Sequence, residues 1–264
     1  MSTSNYQSPV SSPRSPMKAM LLAAGEGTRL RPLTLEMPKI LLPIGGQPLI
    51  EYQLSWLKHH GIQEVAINLY HLGNKVKDFL GDGSHFGVKI FYSTEEKLLG
   101  TAGGVKRMEH LFHNTFAVVY ADVLTNFNLS AMIKFHQEKK AAATLVIFEA
   151  PNPTEVGVVE MSPEGRILSF VEKPKTANLQ HRTSNLELQS LASGGVYVLE
   201  KEVLNYISSQ GFSDFAYDIF PKLLELSLPI YGYALKSQDY LIDIGTIEKY
   251  NQANKDVLGL GVLR

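Results

Sequence analysis

Cysteine is absent from all 264 residues, which removes disulfides, thiolate nucleophiles and cysteine-ligated metals together. No apolar run reaches the about 18 residues that a membrane-spanning helix needs, and the polar, proline-spotted N-terminus does not read as a secretory signal. Charge of one sign is missing too. With 25 Lys and Arg against 26 Asp and Glu, the chain carries no basic face for nucleic acid or an anionic membrane, so any affinity for phosphate must be local. The eight histidines, among them His59, His60, His71, His85, His110, His113 and His136, show no ligand spacing with carboxylates and read as solvated or core residues. No Ser/His/Asp arrangement is present. These absences leave a cytoplasmic protein that uses neither nucleic acid nor membrane, and a hydrophobic content of 44% suffices for the core of one large α/β domain.

Residues 1–16 are rich in Ser and Pro and read as a disordered extension, with Met17 a candidate native start. From residue 17 to 264 strands and helices alternate. Strands are expected at 19–23, 64–69, 88–92, 116–120 and 143–148, and helices at 48–60, 73–80, 103–112 and 130–140. That alternation implies βαβ crossovers and a mostly parallel sheet covered on both faces. After Pro151 the pattern becomes a hairpin, 156–161 with 166–171 across Ser162-Pro163-Glu164-Gly165. A strand at 195–199 and a helix at 214–226, interrupted at Pro221, follow. Residues 175–190 have no period and read as a loop. The expectation is a Rossmann-like parallel half joined to a mixed half in one domain.

The densest chemistry lies where the first strand pours into Leu22-Ala23-Ala24-Gly25-Glu26-Gly27-Thr28-Arg29-Leu30, followed by Pro38-Lys39. Glycines let backbone amides approach a ligand, Arg29 can fork onto phosphate oxygens, and Lys39 supplies a point charge. The dinucleotide fingerprint is excluded because Leu30 stands where its third glycine belongs, and no Gly-Lys-Ser/Thr run makes a P-loop. A second glycine loop, Leu99-Gly100-Thr101-Ala102-Gly103-Gly104, opens a helix and could read a base with its amides. Asp122 follows an apolar strand at its carboxyl end, where ligands of open α/β sheets sit. Asp243 lies within Tyr240-Leu241-Ile242-Asp243-Ile244-Gly245-Thr246, where an unpaired charge would be costly. A shared divalent cation would partner both carboxylates. Glu172-Lys173-Pro174 offers an acceptor suited to a polyol and an ammonium suited to a phosphomonoester.

Together these segments resemble the sugar-1-phosphate nucleotidyltransferases, whose signature is Gly-x-Gly-Thr-Arg-Leu-x-Pro-Leu-Thr with Pro-Lys downstream, over residues 17–254. The resemblance implies a GT-A-like fold and the reaction of an NTP with a sugar 1-phosphate to give an NDP-sugar and pyrophosphate. It assigns nucleotide binding to Leu22, Ala23, Ala24, Gly25, Gly27, Thr28, Gly100, Thr101 and Gly103. Sugar-phosphate binding falls to Gly157, Glu172, Lys173 and Ser193, and Mg²⁺ ligation to Asp122 and Asp243. Arg29 is expected on the departing pyrophosphate and Lys39 on the α-phosphate. Two departures are visible: Ala121 precedes Asp122 where Gly or Ser is usual, and Ser193 replaces Asn before Gly194-Gly195. The segment 80–103 looks most like bacterial mannose-1-phosphate guanylyltransferases, so GTP and mannose 1-phosphate are the expected pair. Uridylyl or thymidylyl transfer to another hexose or heptose 1-phosphate is the alternative, as is a catalytically inactive homologue that senses NDP-sugars. The left-handed β-helix that some relatives append is not expected after residue 264, and homo-oligomer formation is left open.

Overall fold

A computed structural model describes residues 16–175 and 191–260. The expectations for residues 1–15 and for most of the 175–190 loop lie outside the described residues. The chain enters through β1 (Lys18–Leu22), a short helix α1 (Leu33–Glu36), and the two-residue strands β2 (Pro43–Ile44) and β3 (Gln47–Pro48). Next come α2 (Leu49–His59), β4 (Glu64–Leu69), α3 (Gly73–Leu80) and β5 (Lys89–Thr94), then α4 (Gly100–Arg107) and β6 (Phe116–Tyr120). In β1 the alternation is plain: Ala19 and Leu21 pack into one hydrophobic layer and Met20 into the other. Both layers are buried, so the sheet is covered on its two faces as the βαβ pattern predicts.

Strands β5, β4, β1 and β6 form a parallel half in that spatial order. The expected helix at 103–112 starts earlier, at Gly100, and its last residues form a separate 3₁₀ turn at Glu109–Leu111. Beyond β6 the chain makes β7 (Val123–Thr125), α5 (Leu129–Lys139) and β8 (Ala143–Glu149). Asn128 caps α5 by accepting from the Ala131 amide at 2.9 Å.

The second half is mixed. The hairpin of β9 (Gly157–Met161) and β10 (Ile167–Glu172) forms as expected, and its turn closes with the Gly165 amide donating to the Ser162 carbonyl at 2.9 Å. β11 (Leu191–Leu199) runs antiparallel between β6 and β8, while β12 (Ile230–Ala234) adds in parallel to β8. β11 starts earlier than expected because its first residues pair with β8 and β9. The helix expected at 214–226 does change at Pro221, though by a switch of helix type rather than a gap. A π-helical turn at Phe215–Ile219 runs into α6 (Phe220–Glu225), and Pro221 sits in the first α-turn, where a missing amide hydrogen costs nothing. Finally β13 (Leu241–Asp243) pairs antiparallel with β7, and α7 (Ile247–Leu260) packs behind it. This small β7–β13 arm brings Asp243 beside the end of β6. Among the described residues no helix is long and apolar enough to cross a membrane.

Candidate active site: two clefts meeting at Asp122

The carboxyl ends of β1, β4, β5 and β6 open into a cleft of about 290 Å³ lined by Leu22, Ala23, Ala24, Gly25, Lys39, Gly100, Thr101 and Asp122. Gly25 faces open space, with nothing within 4 Å of where a side chain would begin. Gly27 and Thr28 do not line this cleft. Gly27 is a turn residue with φ +64°, packed so closely on Thr34 that an added Cβ would lie 2.9 Å from its methyl carbon. The turn itself requires this glycine.

The second glycine loop departs further from expectation. The amides of Ala102 and Gly103 both donate to the Ser213 carbonyl at 3.0 Å, so they are not available to a base. The Ser213 amide donates back to Leu99 at 2.8 Å. Gly100, with φ +78°, would place a Cβ 2.3 Å from the Ser213 oxygen, and Gly104 would place one 2.6 Å from Asn68 Nδ2. Close backbone approach therefore accounts for this glycine cluster, and Gly103 stands off the cleft wall. Two buried residues that sequence reading passed over hold the cleft open. Asn68 Oδ1 accepts from the Ala23 amide at 2.8 Å, and its amide group donates to Glu95 Oε1 at 2.8 Å. The Leu99 amide in turn donates to Glu95 Oε2 at 3.0 Å. A polar residue inside the apolar run Val65–Leu69 was the available signal for Asn68.

A second cleft, of about 300 Å³, opens on the hairpin side and is lined by Arg29, Asp122, Gly157, Glu172, Lys173, Ser193 and Asp243. It is hollowed by a register shift in β11 between Ser193 and Tyr197, at Gly194-Gly195. Gly157 is obligatory here, since a Cβ would fall 2.6 Å from Phe170 and 2.7 Å from Glu172 Oε2. Burial raises the Glu172 carboxyl above its usual value, against the opposing pull of the Lys173 ammonium, which sits 3.7 Å away. Lys173 adopts φ +45°, a left-handed conformation that costs a non-glycine residue about 1–3 kcal/mol and is over-represented at functional sites. Tyr197 and Tyr120 meet edge to face at 5.7 Å on the floor, and burial pushes Tyr197 up to about 12 and Tyr120 well above its ordinary value. Both stay neutral donors.

The clefts share Asp122, Thr101, Tyr120 and Asp214. At the junction Lys39 Nζ lies 2.5 Å from Asp122 Oδ2, and Lys249 of α7 pairs with Asp243. The Ile244 amide donates to the Asp122 carbonyl at 2.9 Å, tying the two aspartates' backbones together. Arg29, expected on the glycine-loop side, instead lines the hairpin cleft, and its Nη2 lies 2.8 Å from where a Cβ on Gly245 would sit. The sequence argument that Asp243 requires a metal because its strand is apolar needs correcting: β13 is only half-buried, and Lys249 already offsets the charge.

The chain matches the nucleotidyl transferase family over residues 18–259. It belongs to that family. It is 37% identical over 256 residues to the UTP–glucose-1-phosphate uridylyltransferase of Synechocystis sp., spanning 92% of this chain and 63% of that protein. It is 33% identical over 245 residues to the mannose-1-phosphate guanylyltransferase of Mycobacterium tuberculosis, spanning 91% and 64%. In three dimensions it resembles a Bacillus anthracis protein assigned as a glucose-1-phosphate thymidylyltransferase and solved with sucrose, with TM-score 0.77, 26% identity, and coverage of 90% and 94%. The chain thus spans less than two thirds of the length of the two enzymes compared by sequence.

In this member of the family the donor set at the junction suits magnesium. Two half-buried carboxylates, each balanced by a lysine, match an ion that takes one or two carboxylates and completes its shell with phosphate oxygens and water. Among the described residues no group of three or more His, Asp or Glu side chains forms an all-protein metal cage.

Proposed function

We propose that this chain transfers a nucleotidyl group from an NTP to a sugar 1-phosphate, releasing pyrophosphate. The observation that carries the reading is the placement of Asp122, paired with Lys39, where the two clefts meet. Two substrates bound in adjoining clefts would bring their phosphates together at that point. An oxygen of the sugar phosphate attacks the α-phosphorus in line, the new P–O bond forms, the bond to the bridging β-phosphate oxygen breaks, and pyrophosphate leaves with the electron pair. Such chemistry needs positioning and charge neutralisation rather than a protein nucleophile.

The residues divide accordingly. Ala23, Ala24 and Gly25 bound the nucleotide's cleft and Lys39 meets its α-phosphate. Lys173 holds the attacking phosphate, and Glu172 accepts from sugar hydroxyls. Arg29, which lines the hairpin cleft beside Asp243, is assigned to the departing pyrophosphate by its motif, and its exposed side chain must cross the junction to meet it in an in-line reaction. Asp122 and Asp243 would hold Mg²⁺, which would supply charge neutralisation to the phosphates when bound.

GTP with mannose 1-phosphate is the proposed pair, supported by the likeness of segment 80–103 and by relatives named mannose-1-phosphate guanylyltransferases at 31–33% identity. The 37% identity to a UTP–glucose-1-phosphate uridylyltransferase favours UTP with glucose 1-phosphate as a second reading. An inactive sensor is disfavoured because Arg29, Lys39, Asp122, Lys173 and Asp243 are all kept. Pyrophosphate release measured over four NTPs crossed with common sugar 1-phosphates, with magnesium, tests the reading. Stoichiometric pyrophosphate and NDP-sugar from one pair is the expected result, and silence across the whole matrix refutes it.

A further inference from the structure

The segment that staples the second glycine loop carries two large exposed rings that the proposed mechanism leaves unused. Phe212 is 66% exposed and Tyr217 60% exposed. Neither is simply surface: Phe212 lines the glycine-loop cleft and Tyr217 the hairpin cleft. Their exposure is not that of a loose loop, because the backbone between them is held at nearly every residue. Ser213 is fixed through its amide and carbonyl to Leu99, Ala102 and Gly103. Thr101 Oγ1 donates to Asp214 Oδ2 at 2.9 Å and accepts from the Phe215 amide at 2.9 Å. Asp214 Oδ1 accepts from the amides of Ala216 and Tyr217 at 2.8 and 3.3 Å, and the Asp214 amide donates to Asp218 at 2.7 Å.

We propose that residues 212–217 form a specificity wall shared by both clefts, with the Phe212 ring covering the nucleobase and the Tyr217 ring covering the sugar. The proposal rests on the assignment of nucleotide and sugar phosphate to the two clefts. Its physical basis is that an aromatic ring borne on or beside a pinned backbone and left mostly in water forfeits the burial that makes such residues worth carrying. A planar base offers the ring a stacking partner regardless of its hydrogen-bonding edge, and a pyranose offers the apolar face of its C–H groups. The ring at 212 leans over Gly100, its Cε2 3.1 Å from the position of a Cβ there. Ring and loop thus line the cleft together, with Ala23 and Ala24 also in its lining. One pinned segment would then grade both substrates for size and shape while contributing nothing to phosphate chemistry.

Steady-state kinetics test this, with GTP and mannose 1-phosphate and with UTP and glucose 1-phosphate, each substrate varied in turn. Phe212→Ala should raise KM for the nucleotide about tenfold, leave KM for the sugar phosphate within about twofold, and narrow the GTP-to-UTP preference because a purine stacks over more area. Tyr217→Ala should do the reverse, and Phe212→Tyr and Tyr217→Phe should restore wild-type values. Should either alanine variant fold poorly, Phe212→Leu and Tyr217→Leu keep apolar bulk without the flat ring and should show the same split. Wild-type turnover with unchanged KM values in the variants overturns the wall. So does an equal rise in both KM values for each variant, which would mean that the segment acts only as scaffold. Absence of turnover by the wild type with either pair refutes instead the functional reading on which the wall rests.

Discussion

The two clefts meet at one aspartate yet are built from different materials. The glycine-loop cleft joins two loops of small residues, Ala23-Ala24-Gly25 and a second whose amides are tied to Ser213, to the side chains of Lys39, Asn68, Glu95 and Phe212. The hairpin cleft is walled by side chains, with Glu172, Lys173, Ser193 and Tyr197 arriving from strands far apart in sequence. Close-set glycine loops can lie against what every NTP has in common, a base plane and a run of phosphates. Side chains brought from separate strands can be exchanged without disturbing the fold, which suits a substrate whose hydroxyl pattern must be told apart. On this account, substitutions at the loop glycines of the first cleft should injure folding, and those at the side chains lining the second should change substrate use.

The largest expected effect lies at the junction. Asp122→Asn or Asp243→Asn should lower kcat by about 10²–10³-fold, the scale seen when a preorganised charge-stabilising group is lost. The melting temperature should stay close to wild type, since both side chains are half-buried and retain hydrogen-bonding atoms. Chelation by EDTA should abolish turnover in the wild type, and full activity in EDTA would remove the magnesium assignment.

Two glycine substitutions set the clefts against each other directly. Gly100→Ala forces a side chain into the Ser213 carbonyl at a positive φ, so it should cost about 1–3 kcal/mol of stability, read in thermal or urea unfolding. Gly157→Ala meets Phe170 and Glu172 side chains instead. It should raise KM for the sugar phosphate while lowering stability less than Gly100→Ala. Equal loss of stability in both variants would erase the distinction between the walls.

A smaller effect is expected at His136, which lines neither of these clefts. It is fully buried between Thr144 Oγ1 at 2.8 Å and Glu200 Oε1 at 3.0 Å, and burial lowers its pKa below 6.5 against the pull of Glu200. The folded chain therefore binds fewer protons than the unfolded one between that lowered value and 6.5, so stability present above 6.5 is lost as pH falls through the window. His136→Gln should flatten the fall in melting temperature between pH 7 and pH 5 without altering either KM. The smallest effect should follow removal of residues 1–15, whose composition offers little apolar surface to bury. Melting temperature and turnover are expected to be unchanged.

How legible each feature was depended on sequence distance. The parallel half was readable because β1, β4, β5 and β6 each carry their own apolar run, and the glycine motif names its cations within 18 residues. The hairpin was readable from its turn. Harder to see were contacts that join remote segments, such as Gly100 with Ser213, Lys249 with Asp243, and the three-residue pairing of β7 with β13. The glycine loop at 99–104 shows the cost: read locally it looks like a set of free amides, and only the fold reveals that Ser213 occupies two of them. The π-helical turn before α6 escaped for a similar reason, because Asp214 caps it with one carboxylate oxygen while the other accepts from Thr101.

The separation of the two clefts is tested most directly by Lys173→Ala, with both substrates titrated in turn. Lys173 lines the hairpin cleft and not the other, and on the proposed reading it meets a phosphate that is charged before reaction begins. Loss of its charged hydrogen bond should raise KM for the sugar phosphate by about 10–150-fold, equivalent to about 1.5–3 kcal/mol, with KM for the nucleotide nearly unchanged. A variant that bound the nucleotide poorly and kept its affinity for the sugar phosphate would contradict the account and exchange the occupants of the two clefts.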